Sequence, residues 1–203
     1  MTIDAVPIRA AATIVLWRDA GSGPEVVMGQ RGAGAAFMPS KYVFPGGAVD
    51  QGDAVGPRMP GLSATCRRRL ALAPLADSPD ADAIARAGLR ELDEETGLTA
   101  LSGADLRFVF RAITPPGRGR RFDARFFLLA ATEARGDLNG FSGASGELGR
   151  LHWIGLGEAR RLDLPFVTEI VLSEVAAILQ GQDQPGVPFF DNSGPGPAFR
   201  RLD

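Results

Sequence analysis

The sequence predicts a layered α/β domain, in which a mixed β-sheet carries helices on its faces. Two strand-like segments flank a Gly- and Pro-containing turn near the N-terminus, an amphipathic helix is expected to stop at Gly97, and further strand-like segments precede a closing helix. Elements in this order bury their apolar faces by packing in layers. The pattern alone does not separate this architecture from other α+β domains.

A β-hairpin is expected near the N-terminus. Residues 12–18 are rich in β-branched and aromatic side chains, and residues 25–31 return after a turn that contains glycine and proline. Residues 1–11 show no strong pattern and are expected to form a loose arm or an edge strand. Further elements are expected as a loop at 32–41, a short strand at 42–44, a short helix within 62–73 and a helix that starts at Ser78.

The second half is expected to hold three strands and one helix. The long segment 122–130 places Phe122, Ala124, Phe126 and Leu128 on one face of a strand. The Gly/Ser-rich stretch 135–148 is expected to be a mobile loop. Additional strands are expected at 106–113 and 151–154, a loop at 114–120, a helix at 165–180 and an irregular tail at 182–203 that packs over the surface or at a dimer contact.

Three glutamates crowd one face of the central helix. Glu91, Glu94 and Glu95 stand at i, i+3 and i+4, so their carboxylates are neighbours in the last turns, where the helix dipole favours cations. Like-charge neighbours cost about 0.2–0.5 kcal/mol per pair, and Arg90 offsets only part of this repulsion. Hard divalent cations prefer such carboxylate oxygens. The face therefore indicates a metal site, although acid-rich helix faces are more often plain solvated surface.

A glycine pair upstream changes that balance. Gly46 and Gly47 follow an apolar strand and allow backbone to approach a ligand closely. Together with the acidic helix they resemble the Nudix box, G-x5-E-x7-R-E-U-x-E-E-x-G-U, in which U is a bulky apolar residue. Gly47 and Asp53 supply the first half, with Asp in place of Glu, and residues 90–98 fill every fixed position of the second half.

The box is interrupted, because residues 54–89 stand where the pattern has seven residues. Such a split, with Phe37-Met38-Pro39 before the box and the segment 120–127 after it, resembles the branch of peroxisomal coenzyme A diphosphatases. The resemblance implies one Nudix domain, a Nudix-type α/β/α sandwich over residues 1–203, with 54–82 as an insertion.

The resemblance also implies a metal-dependent hydrolase of a diphosphate linkage. Mg²⁺ or Mn²⁺ would be held by Glu91, Glu94 and Glu95 with the carbonyl of Gly46 or Gly47, and Arg90 would neutralise and orient the carboxylates. The general base is expected either from the box helix or from Glu147 in the later loop; an ordinary surface role for Glu147 is an equal alternative. Asp53 is expected to shape the loop or support the metal ligands.

Substrate contacts are expected from the glycine pair and from two loops. Phe37 is a candidate for stacking on a purine, against a plain packing role, and Arg118, Arg120 and Arg121 are candidates for gripping phosphate, against a solvated turn. The favoured substrate is coenzyme A or acyl-CoA, cut to 3′,5′-ADP and a phosphopantetheine product. The alternatives are ADP-ribose, nucleotide sugars or damaged dNTPs, and a catalytically inactive Nudix-fold binding module.

Bulk composition narrows the class of partner. The chain of 203 residues has a net charge of −2, which argues against general binding of nucleic acid or anionic membranes. Its only cysteine, Cys66, excludes an internal disulfide and fits a reducing cytoplasm. No apolar run predicts a membrane span or a secretory signal. We therefore expect a cytoplasmic protein with a small-molecule substrate; a homodimer remains open.

Overall fold

The computed structural model describes residues 6–203 and contains eleven strands and four α-helices. The strands are β1 (Ile8–Asp19), β2 (Pro24–Arg31), β3 (Tyr42–Val43), β4 (Gly46–Ala48), β5 (Thr99–Ala100), β6 (Arg107–Ile113), β7 (Arg121–Ala130), β8 (Ala134–Arg135), β9 (Leu148–Gly155), β10 (Val187–Asp191) and β11 (Ala198–Leu202). The helices are α1 (Ala64–Leu70), α2 (Ala81–Thr96), α3 (Leu156–Ala159) and α4 (Phe166–Leu179), with 3₁₀ turns at Gln51–Ala54 and Ala131–Glu133.

Nine of the strands form one mixed sheet. Its order is β11-β10-β6-β7-β1-β2-β3, with β4 added beside β1 and β9 beside β2. The neighbours β1 and β7 run parallel over ten paired residues, whereas β1 and β2 form the expected antiparallel hairpin. Strands β5 and β8 pair separately. The predicted mixed sheet is confirmed.

Helices cover both faces of the sheet, as the strand alternation requires. In β1, Ile14 and Leu16 belong to the core under α2, whereas Val15 belongs to the core under α4. Neighbouring side chains of a strand point to opposite faces, so a strand buried on both sides reads as a continuous apolar run. All three side chains are fully buried. The predicted sandwich architecture is confirmed.

Helix α2 begins two residues later than the sequence predicts. Asp80, and not Ser78, caps it, since the Asp80 carboxylate accepts the N–H of Ala83 at 2.7 Å. The helix ends as expected at Gly97, which has φ +71°. Gly88 packs against β1 and not against the glycine segment, because an added Cβ would lie 3.0 Å from Ile14 Cδ1.

Both ends of the chain are more regular than the sequence predicts. The strand expected at 12–18 starts at Ile8, so residues 8–11 belong to the interior strand β1 and are neither an arm nor an edge; residues 1–5 lie outside the described part. The tail expected to be irregular supplies β10 and β11. Strand β10 was not predicted because prolines are rare in strands. The side chains of Gln184 and Asn192, on either side of β10, donate hydrogen bonds to backbone carbonyls of β6.

Residues 54–82, the predicted insertion, are tied to the domain by a part-buried ion pair and by hydrogen bonds to backbone carbonyls. Arg67 donates to Asp82 at 2.8 Å and to backbone carbonyls of the insertion, which joins α1 to the start of α2. Arg111 donates at 2.9 and 3.0 Å to the carbonyls of Leu72 and Ala73. These contacts hold the insertion over the α2 face of the sheet.

A charged triad lies inside that layer. Arg111 forms two 2.7 Å hydrogen bonds with Asp123, and Arg125 lies 3.0 Å from the same carboxylate. Each of the three residues is only 1% exposed. Burial lowers the pKa of Arg125 to about 10. One carboxylate therefore compensates two buried guanidinium groups.

No helix in the described range 6–203 is both long and apolar enough to cross a membrane.

Replacing Asp123 by Asn should destabilise the fold strongly. The amide leaves two buried guanidinium groups without a counter charge, and breaking a buried pair costs about 3–5 kcal/mol. Urea unfolding measures the loss, with the exposed Asp183→Asn as the matched control, expected within about 0.5 kcal/mol of the wild type. Equal midpoints for both variants would contradict the role given to the triad.

Candidate active site

A cleft of about 430 Å³ opens on the α4 side of the sheet, where β4 meets the acidic end of α2. Loops on either side of the sheet close its walls. Its lining brings together sequence-distant residues that carry charge or an aromatic ring: Arg9, Arg31, Phe37, Asp50, Arg90, Glu91, Glu94, Arg120, Phe122 and Glu147. None of residues 54–82 lines this cleft, so the insertion supports the site from the other face.

The floor of the cleft is the glycine strand β4, in which positions 46 and 47 must lack side chains. A Cβ on Gly46 would lie 2.5 Å from the carbonyl oxygen of Ala12 in β1. A Cβ on Gly47 would lie 2.3 Å from the Glu91 carboxylate. Real Cβ atoms do not approach other atoms so closely, and only glycine permits such contact. The sequence pattern thus reflects a close approach between strand and helix.

Arg90 lies at the centre of the acidic cluster. Its Nη1 donates to Glu91 at 2.8 Å and to Glu94 at 3.0 Å. On the other side its Nε and Nη2 each donate to the Asp53 carboxylate at 3.2 Å, and Nη2 also donates to the Ala48 carbonyl at 3.0 Å. Asp53 further accepts the Asp50 N–H at 2.8 Å. Asp53 therefore fixes the guanidinium that orients the two glutamates.

Burial makes negative charge unfavourable at two of the glutamates. Desolvation raises the pKa of Glu91, and Arg90 opposes this only in part. Burial, with repulsion from Glu91 and Glu147, raises the pKa of Glu95 to about 8, although the Gly46 N–H donates to its carboxylate at 2.8 Å. Glu95 does not line the cleft and lies beneath β4, 1% exposed. A bound cation would relieve this repulsion.

Glu147 reaches the cleft on a loop that packs against α2. The Ser145 N–H donates to the Glu94 carbonyl at 2.9 Å, and a Cβ on Gly97 would lie 2.5 Å from Gly143. The mobility expected for residues 135–148 stays a prediction, while the structure shows that Gly143 packs closely against the backbone of Gly97. The loop therefore holds Glu147 within electrostatic range of Glu91 and Glu95.

The carboxylates of the cleft are the type of ligand that a hard divalent cation binds, but their side chains are not arranged around a metal position. Within residues 6–203, no three Asp, Glu, His or Cys side chains already enclose a metal position. Arg90 instead bridges Glu91 and Glu94. Because Asp53 and the Ala48 carbonyl also hold Arg90, both glutamates can turn toward a cation without leaving that guanidinium unpaired. Carboxylate oxygens are the ligands that Mg²⁺ and Mn²⁺ prefer.

The structure brings together some of the expected substrate-binding residues and not others. Phe37 and Arg120 line the cleft, and the Phe37 ring meets that of Phe122 edge-on at 5.0 Å. Arg118 lines a neighbouring cavity. Arg121, which was expected to grip phosphate, does not line the cleft, and its guanidinium donates to the carbonyls of Thr114 at 3.0 Å and Asn192 at 2.7 Å.

Two cleft arginines were not expected from the sequence. Arg31 ends β2, and its Nε donates at 2.9 Å to the Phe37 carbonyl at the cleft wall. Arg9 in β1 lies 3.5 Å from Asp50. The sequence gives little indication that these two arginines line the cleft, because a single arginine in a strand is common. Only the register of β1 and β2 beside the glycine strand brings both guanidinium groups to the carboxylates.

Comparison with known proteins identifies the fold. No protein-family model matches the sequence, and no curated protein matches it. The structure is similar to the NUDIX hydrolase from Alicyclobacillus acidocaldarius, with 24% identity, 88% of this chain and 98% of that chain covered, and a TM-score of 0.58. It is also similar to a MutT NUDIX hydrolase from Burkholderia pseudomallei (19% identity, 83% and 98% covered, TM-score 0.52).

A third similar structure is the NUDIX domain of Shewanella oneidensis NrtR complexed with ADP ribose (14% identity, 85% and 89% covered, TM-score 0.50). The chain therefore has the Nudix fold.

Alanine at the two glycines should have different effects. Gly46→Ala meets backbone atoms of β1 that cannot move, so overpacking should lower the free energy of unfolding by about 1–3 kcal/mol. Gly47→Ala meets the flexible end of Glu91, so the fold should survive while Mn²⁺ affinity falls about tenfold or more. Urea unfolding and calorimetric Mn²⁺ titration measure the two effects. Wild-type Mn²⁺ affinity in Gly47→Ala would contradict this prediction.

Proposed function

We propose that this protein is a metal-dependent pyrophosphohydrolase that cleaves the diphosphate linkage of a nucleoside diphosphate derivative. The observation that carries the proposal is the fit of the glycine strand against the acidic helix, where the Glu91 carboxylate lies so close to the Gly47 backbone that a Cβ on Gly47 would be 2.3 Å from it. Glu94 and Glu147 line the same cleft. A solvated acidic surface would need no such close approach.

Glu91, Glu94 and Glu95, with the carbonyl of Gly47, would hold Mg²⁺ or Mn²⁺. When bound, the cation supplies charge that neutralises the diphosphate oxygens and makes the attacking water more acidic. Arg90 positions Glu91 and Glu94 through the hydrogen bonds it donates to both carboxylates. It is itself fixed by Asp53.

Glu147 is the candidate general base. It lines the cleft on the packed loop, and its carboxylate can accept the proton of the water that attacks phosphorus. Arg31 and Arg120 at the walls can offset the charge of the substrate's phosphates, because guanidinium groups match phosphate oxygens. Phe37 offers its ring as a wall for a flat group.

Coenzyme A or acyl-CoA is the favoured substrate. The support is the resemblance in the split box, in Phe37-Met38-Pro39 and in the segment that starts at Arg120. The segment after Arg120 gives weaker support, because Arg121 donates to the carbonyl of Asn192 and Asp123 pairs with Arg111. ADP-ribose, nucleotide sugars and damaged dNTPs are the competing substrates, since substrate choice lies in loops around a shared fold.

One observation favours a second candidate, a Nudix-fold module that binds a nucleotide without cleaving it. Arg90 already lies between Glu91 and Glu94, and no finished metal cage is found in the described residues. In such a module the guanidinium would take the place of the cation. The two candidates differ in whether metal is needed for turnover.

The test is turnover of coenzyme A, acetyl-CoA, ADP-ribose and dNTPs with and without Mg²⁺, with products identified by mass. We expect 3′,5′-ADP from coenzyme A, and loss of about 10²-fold or more in kcat for Glu94→Gln, because removing a metal ligand costs several kcal/mol of transition-state stabilisation. Glu147→Gln should lower kcat by about 10²–10⁴-fold and leave Mn²⁺ affinity unchanged. The exposed Glu158→Gln is the matched control.

Cleavage of a different substrate would keep the mechanism and reject coenzyme A. Turnover that persists in Glu94→Gln would reject the catalytic assignment. Nucleotide binding without turnover of any substrate would establish the binding module instead.

A further inference from the structure

A second cavity, of about 620 Å³, lies directly beside the cleft. Seven residues line both cavities, so the two lie side by side. The shared lining consists of Phe37, Met38, Thr114, Pro115, Arg120, Pro165 and Val167. We call the second cavity the aromatic compartment, after Phe37, Phe166 and Phe190 in its lining.

The aromatic compartment has the walls that a flat ring needs. Phe166 at the start of α4 is 64% exposed and lines the compartment, so its ring is accessible to an occupant. Its ring meets that of Phe190 from β10 edge-on at 6.1 Å. Phe37 lies on the cleft side and keeps its edge-on contact with Phe122. Stacking on aromatic side chains is the common way in which proteins hold a nucleobase.

Among residues 6–203, carboxylates line the cleft but not the aromatic compartment, whereas arginines line both. The cleft is lined by Asp50, Glu91, Glu94 and Glu147, whereas no carboxylate among residues 6–203 lines the aromatic compartment. Three cations line the compartment, and one of them, Lys41, is paired with Asp163.

The other two cationic side chains of the compartment are not paired with a carboxylate among the described residues. Arg118 and Arg120 are exposed and form no ion pair within the described part of the chain. Both lie on the loop between β6 and β7. An apolar cavity with free guanidinium groups at one side favours an occupant that combines a flat ring with an anion.

We propose that the aromatic compartment binds the nucleoside end of the substrate, a purine nucleoside that carries a ribose phosphate besides the diphosphate. The base packs among Phe37, Phe166 and Phe190, and Arg118 binds the ribose phosphate. The diphosphate then extends past Arg120 to the acidic cluster. This inference rests on the proposed function and adds to it the element that selects the substrate.

An acyl chain is the other occupant that the apolar walls could take. It carries no charge, so Arg118 would be left without a partner beside it, and the guanidinium groups would contribute nothing to its binding. The charge of the compartment therefore favours the phosphorylated nucleoside. The two occupants therefore predict different effects of replacing Arg118: binding of the phosphorylated nucleoside should weaken, whereas binding of an acyl chain should not.

The test is calorimetric titration of the full-length protein with 3′,5′-ADP and with 5′-AMP, which differ only in the ribose phosphate. Arg118→Gln should weaken 3′,5′-ADP binding by about tenfold or more and leave 5′-AMP unchanged, because a charge-assisted hydrogen bond is lost. Phe166→Ala should weaken both nucleotides by about fivefold or more, since stacking does not depend on the phosphate. Arg58→Gln, another exposed arginine, is the matched control and should change neither affinity.

Equal effects of Arg118→Gln on the two nucleotides, or no effect on either, would overturn the proposal, as would a wild-type protein that binds neither. A Phe166→Ala variant that loses affinity only for long acyl-CoA would assign the compartment to the acyl chain and also overturn it. The titrations do not depend on hydrolysis. Arg118-dependent nucleotide binding without turnover would therefore reject the proposed enzyme activity and support the binding role of the compartment. Turnover of coenzyme A, with nucleotide binding unaffected in Arg118→Gln, would support the enzyme activity and reject that binding role.

Discussion

The ion pairs of Arg90 are the constraint on which the candidate site depends. A single guanidinium joins the 3₁₀ turn that holds Asp53 to the helix face that holds Glu91 and Glu94. It also donates to the carbonyl of Ala48 at the end of the glycine strand. The desolvated Glu91 carboxylate and the neighbouring Glu94 carboxylate repel each other, and the hydrogen bonds of this arginine offset part of that repulsion. Its position joins the segment that ends at Asp53 to the helix that carries the glutamates.

Residues 54–82, which the sequence predicts as an insertion in the box, pack on the far side of the sheet from the cleft. Arg67 joins the insertion to α2 through Asp82, and the buried pair of Arg111 and Asp123 joins it to β6 and β7. The cleft side is built from other parts of the chain, including β10, which contributes Phe190 to the aromatic compartment. Residues 54–82 thus pack on the α2 side of the sheet, whereas the cleft is lined by other parts of the chain.

The sequence predicted the parts of the site whose chemistry is local. Helical spacing places Glu91 and Glu94 on one face, and the glycine pair by itself indicates a close backbone approach. Contacts set by strand register were out of reach: nothing in the sequence ties Arg31 to the cleft or Arg121 to the carbonyl of Asn192.

Regular structure was missed in the proline-containing tail, where β10 pairs with β6 and with β11. The side chains of Gln184 and Asn192, which flank β10, add hydrogen bonds to carbonyls of β6, a long-range effect that composition does not encode. Metal binding by the acidic cluster is tested most directly by anomalous diffraction from a crystal of the Mn²⁺-loaded protein, because this method locates the metal itself. We expect a manganese peak contacted by carboxylates of the set Glu91, Glu94 and Glu95, next to the Gly47 carbonyl. A crystal without a peak there, in which Arg90 still bridges Glu91 and Glu94 at saturating Mn²⁺, would contradict the metal-dependent mechanism.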